Sequence, residues 1–470
     1  MNKTNIIVTI GPTTNTKEMI KRLISSGVSV FRINLNYMDH NFCEDVINKI
    51  RDVDNELGTV TAIMFDTVGP DIKTGNFING KANFKEGMKI RVYNYPIIGD
   101  ETKLYIDYYD LINGINYNTT IKLNNGKVVL NVLDKESNYL LCEVMTGGEV
   151  IDNSSVHIAD ELKMPFLSNK DIEDIKFADK MNIDFLALSL VSCSEDVLNV
   201  NDLLIELGND HMSIISKIEK ESAVSDIDDI IRVSDGVMLT RGDLGVEIPI
   251  ERIPGIQKMV INKCHVAGKI SIVATEVMSS MEHSLIPSRA EVSDVATSVL
   301  EGVDAITLSL ETMKGSYPLE VVDMIKKVII TSENDINYFD LIDRASRTEN
   351  NDTTGILAHS VTSLAAGLKC KAIVTPTITG YTAKKMSRFR PNCPIIAISP
   401  DINTVKSLKL YFGIYPILIN ELKSLDNTIE KSKEIVLNHF DLFSGDKIVI
   451  TGGYPFRKVK HTNFIKIEEI

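Results

Sequence analysis

Residues 213–219 read SIISKIE, a β-branched run that begins like a buried strand and then sets Lys217 and Glu219 two positions apart. Successive side chains of a strand point to opposite faces, so these two opposite charges share one face, on the side a core strand would bury. A buried strand can end this way if its end opens into a polar mouth. That requires neighbouring strands that end in the same place.

Seven further runs have the same texture: NIIVTI from 5, VFRINLN from 30, TAIMFDT from 61, DFLALSL from 184, GVMLTRGD from 236, SIVATEV from 271 and AITLSLET from 305. Helix-length amphipathic segments lie between them. In KEMIKRLISSG (17–27), Met19, Ile20, Leu23 and Ile24 follow helical spacing and Gly27 supplies the stop. Strand alternating with helix eight times predicts an α/β fold, a parallel sheet closed as a (β/α)8 TIM barrel.

The third and fourth runs are much farther apart than the others. Between them lie MKIRVYNYPI, TTIKLNNGKVVLNVL and NYLLCEVM, alternating and β-branched, with an Asn-Asn-Gly turn at 124–126. This predicts a small all-β domain inserted after strand 3, at the face where it can act as a lid. A polar run, RASRTENNDTTG, precedes a second set of strand patterns, CKAIVTPT, PIIAIS, GIYPILIN and DKIVITGG, and predicts a separate C-terminal α/β domain. The expected division is 1–69 with 163–340 for the barrel, 70–162 for the insert and 341–470 for the C-terminal domain.

Composition excludes several classes. Acidic residues outnumber basic ones by 64 to 50 and no Lys/Arg block stands apart, so a nucleic-acid partner is not expected. The six cysteines form no CxxC pair and no His stands at ligand spacing, which argues against a disulfide framework or a zinc site. The run IIVTI is too short for a signal segment, and no run reaches the length of a membrane span, so a cytoplasmic protein is expected.

Polar residues collect at the strand ends: Arg32 and Asn34, Asp66 and Thr67, Lys217 and Glu219, Gly242 and Asp243, Thr275, and Glu311, the last more structural than catalytic. Glu219 and Asp243 suit a hard divalent cation that keeps waters and accepts substrate oxygens. Lys217 and Arg32 put positive charge beside it, and Gly242 lets a ligand approach the backbone. These are the parts that phosphoryl transfer requires, because its transition state spreads negative charge over the equatorial oxygens. Taken singly, Lys217 with Glu219 reads equally well as a structural ion pair and Asp243 as a helix cap.

The sequence resembles pyruvate kinase along nearly its whole length, through SKIE (216–219), RGDLGVEIP (241–249), PSRAEVSDVA (287–296) and DTVGPDIKTG (66–75), with RFRP (388–391) and KGSYPLE (314–320) in support. The resemblance implies transfer of the phosphoryl group of phosphoenolpyruvate to ADP, giving pyruvate and ATP, with Mg2+ and K+ as cofactors. By position it implies Glu219 and Asp243 on Mg2+, Lys217 facing the phosphoryl group, and Arg32 on phosphate, with Arg32 and Lys73 toward the nucleotide. Gly242, Asp243 and Thr275 would take the substrate carboxylate, and Asn34, Asn36, Asp66 and Thr67 would line the K+ position. TITGYT (377–382) resembles a loop that holds a sugar-phosphate effector, which implicates Thr377, Thr379, Gly380 and Thr382; YPFRKVKHTN adds Arg457, Lys458 and Lys460. A homotetramer is implied as well.

The chain departs from the family pattern at several points. Asn36 and Tyr37 stand where Ser and His are usual, Val68 replaces a lysine, Lys73 an arginine, Glu276 a glutamine and Leu310 a glycine. Asn124 and Asn125 replace an acidic pair, and SSVHIADEL replaces a GVNLPG-like turn. Lysine cannot reproduce a bidentate guanidinium, so two cationic contacts are weakened. Two other readings stay open on sequence alone: a weakened paralogue that senses phosphorylated metabolites, and a Mg2+-enolate lyase or aldolase on the same barrel.

Overall fold

The computed structural model describes residues 2–160, 164–346, 352–420, 425–440, 442–453 and 462–470. Eight strands form one closed parallel barrel: β1 (Asn5–Thr9), β2 (Val30–Asn34), β3 (Ala62–Asp66), β4 (Phe185–Leu188), β5 (Ser213–Ile218), β6 (Gly236–Thr240), β7 (Ile270–Ala274) and β8 (Ala305–Leu308). Closure falls between β1 and β8, with Asn5 opposite Ala305. Each of the eight sequence runs supplies one of these strands.

The strands read as near-continuous apolar runs because both faces are buried. One face packs on the outer helices. Helix Lys17–Ser25 shows how: Thr16 caps it by accepting from the Met19 amide, Ile20, Leu23 and Ile24 are buried, and Gly27 turns the chain at φ +101°. The inner face, including Ile7, Val30, Met64, Ile215, Met238 and Ala305, belongs to the same apolar cluster as Val361, Phe389, Tyr411 and Ile414 of the C-terminal part. The barrel floor is therefore continuous with the core of the next unit. A buried ion pair crosses the same seam, with Arg390 Nη1 and Nη2 at 2.6 and 2.9 Å from the two oxygens of Asp304.

Between β3 and β4 lie a two-stranded sheet (Lys81–Phe84 with Gly148–Ile151) and a six-stranded sheet. They share a separate apolar cluster running from Ile72 to Ile158. Asn124, Asn125 and Gly126 all adopt positive φ between the strands Thr120–Leu123 and Val128–Lys135, as the Asn-Asn-Gly signal requires.

After the barrel, β9 (Ala372–Pro376), β10 (Ile395–Ser399), β11 (Ile414–Leu418), β12 (Lys447–Gly452) and β13 (Phe464–Glu469) form one sheet in the order β11-β10-β9-β12-β13. The first four are the predicted strands. The fifth, antiparallel to β12, is additional. Part of the predicted linker, residues 347–351, lies outside the described residues. Among the described residues no helix is long and apolar enough to cross a membrane.

Candidate active site

The carboxyl ends of the barrel strands bring the predicted charges together. Lys217, near the end of β5, places its ammonium 3.1 Å from Asp66 Oδ1, 3.0 Å from Glu219 Oε1 and 2.8 Å from the Ser189 hydroxyl. Arg32 on β2 donates through Nε to Asp66 Oδ2 at 2.8 Å and pairs with the same oxygen through Nη2. Its Nη1 reaches Thr9 Oγ1 at 3.1 Å and Ser309 Oγ at 3.4 Å. Asp66 is thus the hub on which both cations are fixed.

The electrostatics follow from this geometry. Burial disfavours ionised Asp66, but Arg32 and Lys217 outweigh it and hold its carboxyl below the usual aspartate range. Burial likewise opposes charge on Lys217, but Asp66 and Glu219 outweigh it and raise its pKa above the ordinary lysine value. The ammonium is therefore a permanent charge rather than a proton donor.

Glu219 also accepts from the Leu190 amide at 2.7 Å, and Leu190 sits in the left-handed region at φ +58°. Asp243 is different. It lies in the first turn of the helix Arg241–Glu247, just beyond the end of β6, with Thr240 rather than Asp243 at the cap position. Its carboxylate accepts no hydrogen bond among the described residues, and burial followed by the charge of Glu219 pushes its pKa up to about 6. A pair of mutually repelling carboxylates, one without a partner, is a donor set that a divalent cation satisfies. Among the described residues no group of three or more His, Cys, Asp or Glu side chains converges, so such an ion would take its remaining ligands from water and substrate.

Thr275 follows β7 with φ +64°, and Glu276 follows with φ +52°. A β-branched residue held there is strained. Arg241 compensates: its Nη2 donates to the carbonyls of Thr275 at 3.0 Å and Glu276 at 2.9 Å, while its Nη1 pairs with Asp294 at 2.5 Å. The strained turn sets the Thr275 hydroxyl against the Gly242 amide, from which it accepts at 2.8 Å while donating to the Ala274 carbonyl at 2.7 Å. A Cβ on Gly242 would lie 3.4 Å from that hydroxyl, so the absence of a side chain keeps this wall open.

Of the residues expected near a monovalent cation, Asp66 and Thr67 are buried and Asn34 is half-buried. Asn34 Oδ1 accepts from the Asn36 amide at 2.9 Å, and Asn36 Oδ1 accepts from Lys73 Nζ at 3.1 Å. Lys73 also pairs with Asp71 at 3.3 Å. Burial raises the Asp71 pKa against the opposing charge of Lys73. Glu311 has a structural place: it accepts from the amides of Met278 and Ser309 and ties together the loops after β7 and β8.

The loop 377–382 lies away from this mouth. Thr377 Oγ1 accepts from the Gly380 amide at 2.9 Å, Gly380 sits at φ +74°, and the Thr382 hydroxyl bonds that of Thr462 at 2.8 Å. Thr379 is exposed. Arg457, Lys458 and Lys460 lie outside the described residues. Sequence reading missed Ser189 and Arg241: a lone serine at a strand end carries no signal, and the role of Arg241 depends on backbone angles that its motif does not spell out.

Fold and site together define a (β/α)8 barrel whose mouth gathers buried cations and carboxylates at the strand ends. The pyruvate kinase barrel-domain model matches residues 1–322, and the pyruvate kinase alpha/beta-domain model matches residues 356–468. A pyruvate kinase of Clostridium perfringens is 37% identical over 474 residues, and one of Clostridium acetobutylicum is 36% identical over 472, with all of both chains covered in each case. One from Sporosarcina psychrophila is 36% identical across all of this chain and 81% of its own. The crystal structure of a pyruvate kinase from Cryptosporidium parvum superposes with a TM-score of 0.94 at 31% identity, covering 100% of this chain and 96% of that one. The chain belongs to the pyruvate kinase family.

Proposed function

We propose that this chain transfers the phosphoryl group of phosphoenolpyruvate to ADP. The observation that carries the proposal is the Lys217 ammonium, held between Asp66 and Glu219 with the unpartnered Asp243 carboxylate facing the same mouth. In the step, the bond from the enol oxygen to phosphorus breaks, a new one forms to a terminal oxygen of ADP, and the enolate then takes a proton at its methylene carbon to give pyruvate.

Each residue has a part that follows from its environment. Lys217 and Arg32 offer fixed positive charge to the equatorial oxygens of the group in transit, and Asp66 prevents both from reorganising. The Thr275 hydroxyl and the Gly242 and Asp243 amides suit the substrate carboxylate. Glu219 and Asp243 would hold Mg2+, which supplies Lewis-acid charge stabilisation when bound. Asn34, Asn36, Asp66 and Thr67 would line a K+ position. Lys73 faces the nucleotide as a point charge rather than a fork.

The domain division at 69/70, 162/163 and 340/341, a homotetrameric state and a cytoplasmic location belong to the same proposal. So does a sugar-phosphate effector on Thr377, Thr379, Gly380 and Thr382. The Thr382 hydroxyl already bonds that of Thr462 and would offer an effector its remaining hydrogen-bonding capacity.

The test is a coupled assay with phosphoenolpyruvate, ADP and Mg2+, scored for pyruvate and ATP, with and without sugar phosphates. Robust turnover is expected. Ligand binding without turnover would favour a metabolite sensor, and aldol or lyase activity without nucleotide dependence would favour an enolate enzyme on the same barrel.

A further inference from the structure

The chain leaves the barrel after β3 to build the inserted sheets, and returns to it at the helix Asn169–Lys180, which leads into β4. Asp171, in the first turn of that helix and 1% exposed, holds both crossings. Its Oδ1 accepts from the Gly69 amide at 3.0 Å on the outgoing segment. Its Oδ2 accepts from the Ser168 amide and hydroxyl at 3.1 and 2.5 Å on the returning one. We propose that Asp171 is a positioning residue for Lys217, acting through Gly69, Thr67 and Ser189, an inference that rests on the part given to Lys217 in phosphoryl transfer.

The first link is steric. Gly69 is buried at φ +71°, and a Cβ there would lie 2.6 Å from the carbonyl oxygen of Ser189, the residue just beyond β4. The outgoing chain therefore lies against the end of β4 as closely as a residue without a side chain allows. Hydrogen bonds knit the two segments together beside this contact: the Thr67 amide donates to the Ala187 carbonyl at 3.0 Å, and the Ser189 amide donates to Thr67 Oγ1 at 3.2 Å.

The second link is a hydroxyl with one proton. Ser189 Oγ lies 2.6 Å from the Thr67 carbonyl and 3.1 Å from Asp66 Oδ1, and it accepts from Lys217 Nζ at 2.8 Å. A hydroxyl donates once, and the shorter contact gives that proton to the Thr67 carbonyl. The backbone of Thr67 thus sets the direction in which Ser189 offers its lone pair to Lys217. Asp66 and Glu219 are the other two anchors of the ammonium. A shift at Thr67 moves the third.

Helix capping accounts for the bonds to Ser168 and not for the bond to Gly69. Ser168 and Asp171 form a reciprocal capping box, which stabilises a helix start whatever lies nearby. Gly69 is 102 residues away in sequence, and its amide takes the carboxylate oxygen that the box leaves free. Removing the Ser168 hydroxyl therefore weakens the cap alone, whereas removing the Asp171 carboxylate also releases the outgoing chain.

That contrast is the test, made on the full chain with Asp171→Ala and Ser168→Ala. Asp171→Ala should lower kcat for phosphoryl transfer by about 10- to 100-fold, up to the scale of a misplacement near 1 Å, and lower the exchange of pyruvate methyl protons less. Ser168→Ala should lose thermal stability with kcat close to that of the wild type. Amide hydrogen exchange, which needs no turnover, should quicken in Asp171→Ala at peptides covering both Thr67–Gly69 and Ser189, and at neither in Ser168→Ala. Equal losses of kcat in the two variants would overturn the inference, as would faster exchange at Gly69 with none at Ser189. A wild type without phosphoryl transfer would count against the proposed function, and hydrogen exchange would still decide whether Asp171 holds Ser189 in place. If Asp171→Ala does not fold, Asp171→Leu, which fills the same space without an acceptor, is read against the same outcomes.

Discussion

The Lys217 ammonium stands 3.1 Å from Asp66 Oδ1, and the other oxygen of the same carboxylate is held by Arg32. One buried acid therefore fixes two cations whose common direction is the barrel mouth. Replacing Lys217 by Met removes charge from the proposed path of the phosphoryl group and leaves Arg32 and Asp66 paired. Phosphoryl transfer should fall by at least about 10³-fold, the scale of losing one preorganised electrostatic contact. Metal-dependent exchange of the methyl protons of pyruvate should partly survive. Parallel loss of both activities with Mg2+ affinity intact would contradict the role given to Lys217.

Arg241 holds the carbonyls of both left-handed residues, Thr275 and Glu276, with one guanidinium. Lysine offers a point charge and cannot hold two carbonyls and Asp294 at once. Arg241→Lys should therefore let the Thr275 hydroxyl drift and lower kcat/KM for phosphoenolpyruvate by about 100-fold, as misplacements near 1 Å do. Steady-state kinetics beside a melting curve separate this from simple unfolding. A large fall in midpoint with unchanged kcat/KM would make Arg241 a structural residue only.

The barrel was legible in sequence because strands buried on both faces, such as AIMFD and SIISKI, are apolar almost throughout and stand out from the amphipathic helices. Strand β13 was not, since all six of its positions in FIKIEE are only half-buried or fully exposed and Lys466, Glu468 and Glu469 carry no core signature. Among site residues, charges at strand ends could be read because burial makes them conspicuous. Contacts that depend on separation in space could not: Arg390 and Asp304 lie 86 residues apart, and nothing local announces their pairing. The internal bonds of the Thr377 and Thr382 hydroxyls are likewise visible only in the packing.

His265 makes the seam sensitive to acid. Burial, then the charge of Arg390, brings its pKa down to about 4, whereas in the unfolded chain it titrates near 6.5. Its folded pKa is depressed, so its contribution to stability is full above about pH 6.5 and is lost as pH falls toward 4. Discounted for partial exposure, the loss is about 1 to 2 kcal/mol. His265→Gln keeps an N–H for the Arg388 carbonyl and should flatten the stability profile across that window. Denaturant titrations in phosphate-free buffer measure it, and identical slopes for the two proteins would contradict the assignment.

Asp71 pairs with Lys73, and Asn36 spends its side-chain oxygen on the same ammonium, beside the proposed K+ position. Turnover should fall severalfold when K+ and Na+ are both replaced by tetramethylammonium, and K+ should restore it. Lys73→Met frees the Asn36 oxygen and should shift the K+ dependence to lower concentration. Equal turnover with and without K+ would remove the monovalent site from the mechanism.

The inserted domain meets the helix that carries Asp243 through few side chains. His157 Nδ1 lies 3.1 Å from Glu247 Oε1, and Lys122 donates to the Val246 carbonyl. Positive charge on His157 would also favour ionisation of Asp243, so closure of the insert as a lid would be coupled to the electrostatics of the mouth. Both partners are partly exposed, which limits the pair to about 0.5–1 kcal/mol. A double-mutant cycle with His157→Ala and Glu247→Ala, read on kcat/KM for ADP, should therefore show coupling of about two- to fivefold. The single variants should raise KM more than they lower kcat, because they loosen closure without touching the reacting groups. Strictly additive effects would mean that the insert closes by other contacts, with the turn formed by Asn124, Asn125 and Gly126 the next place to cut.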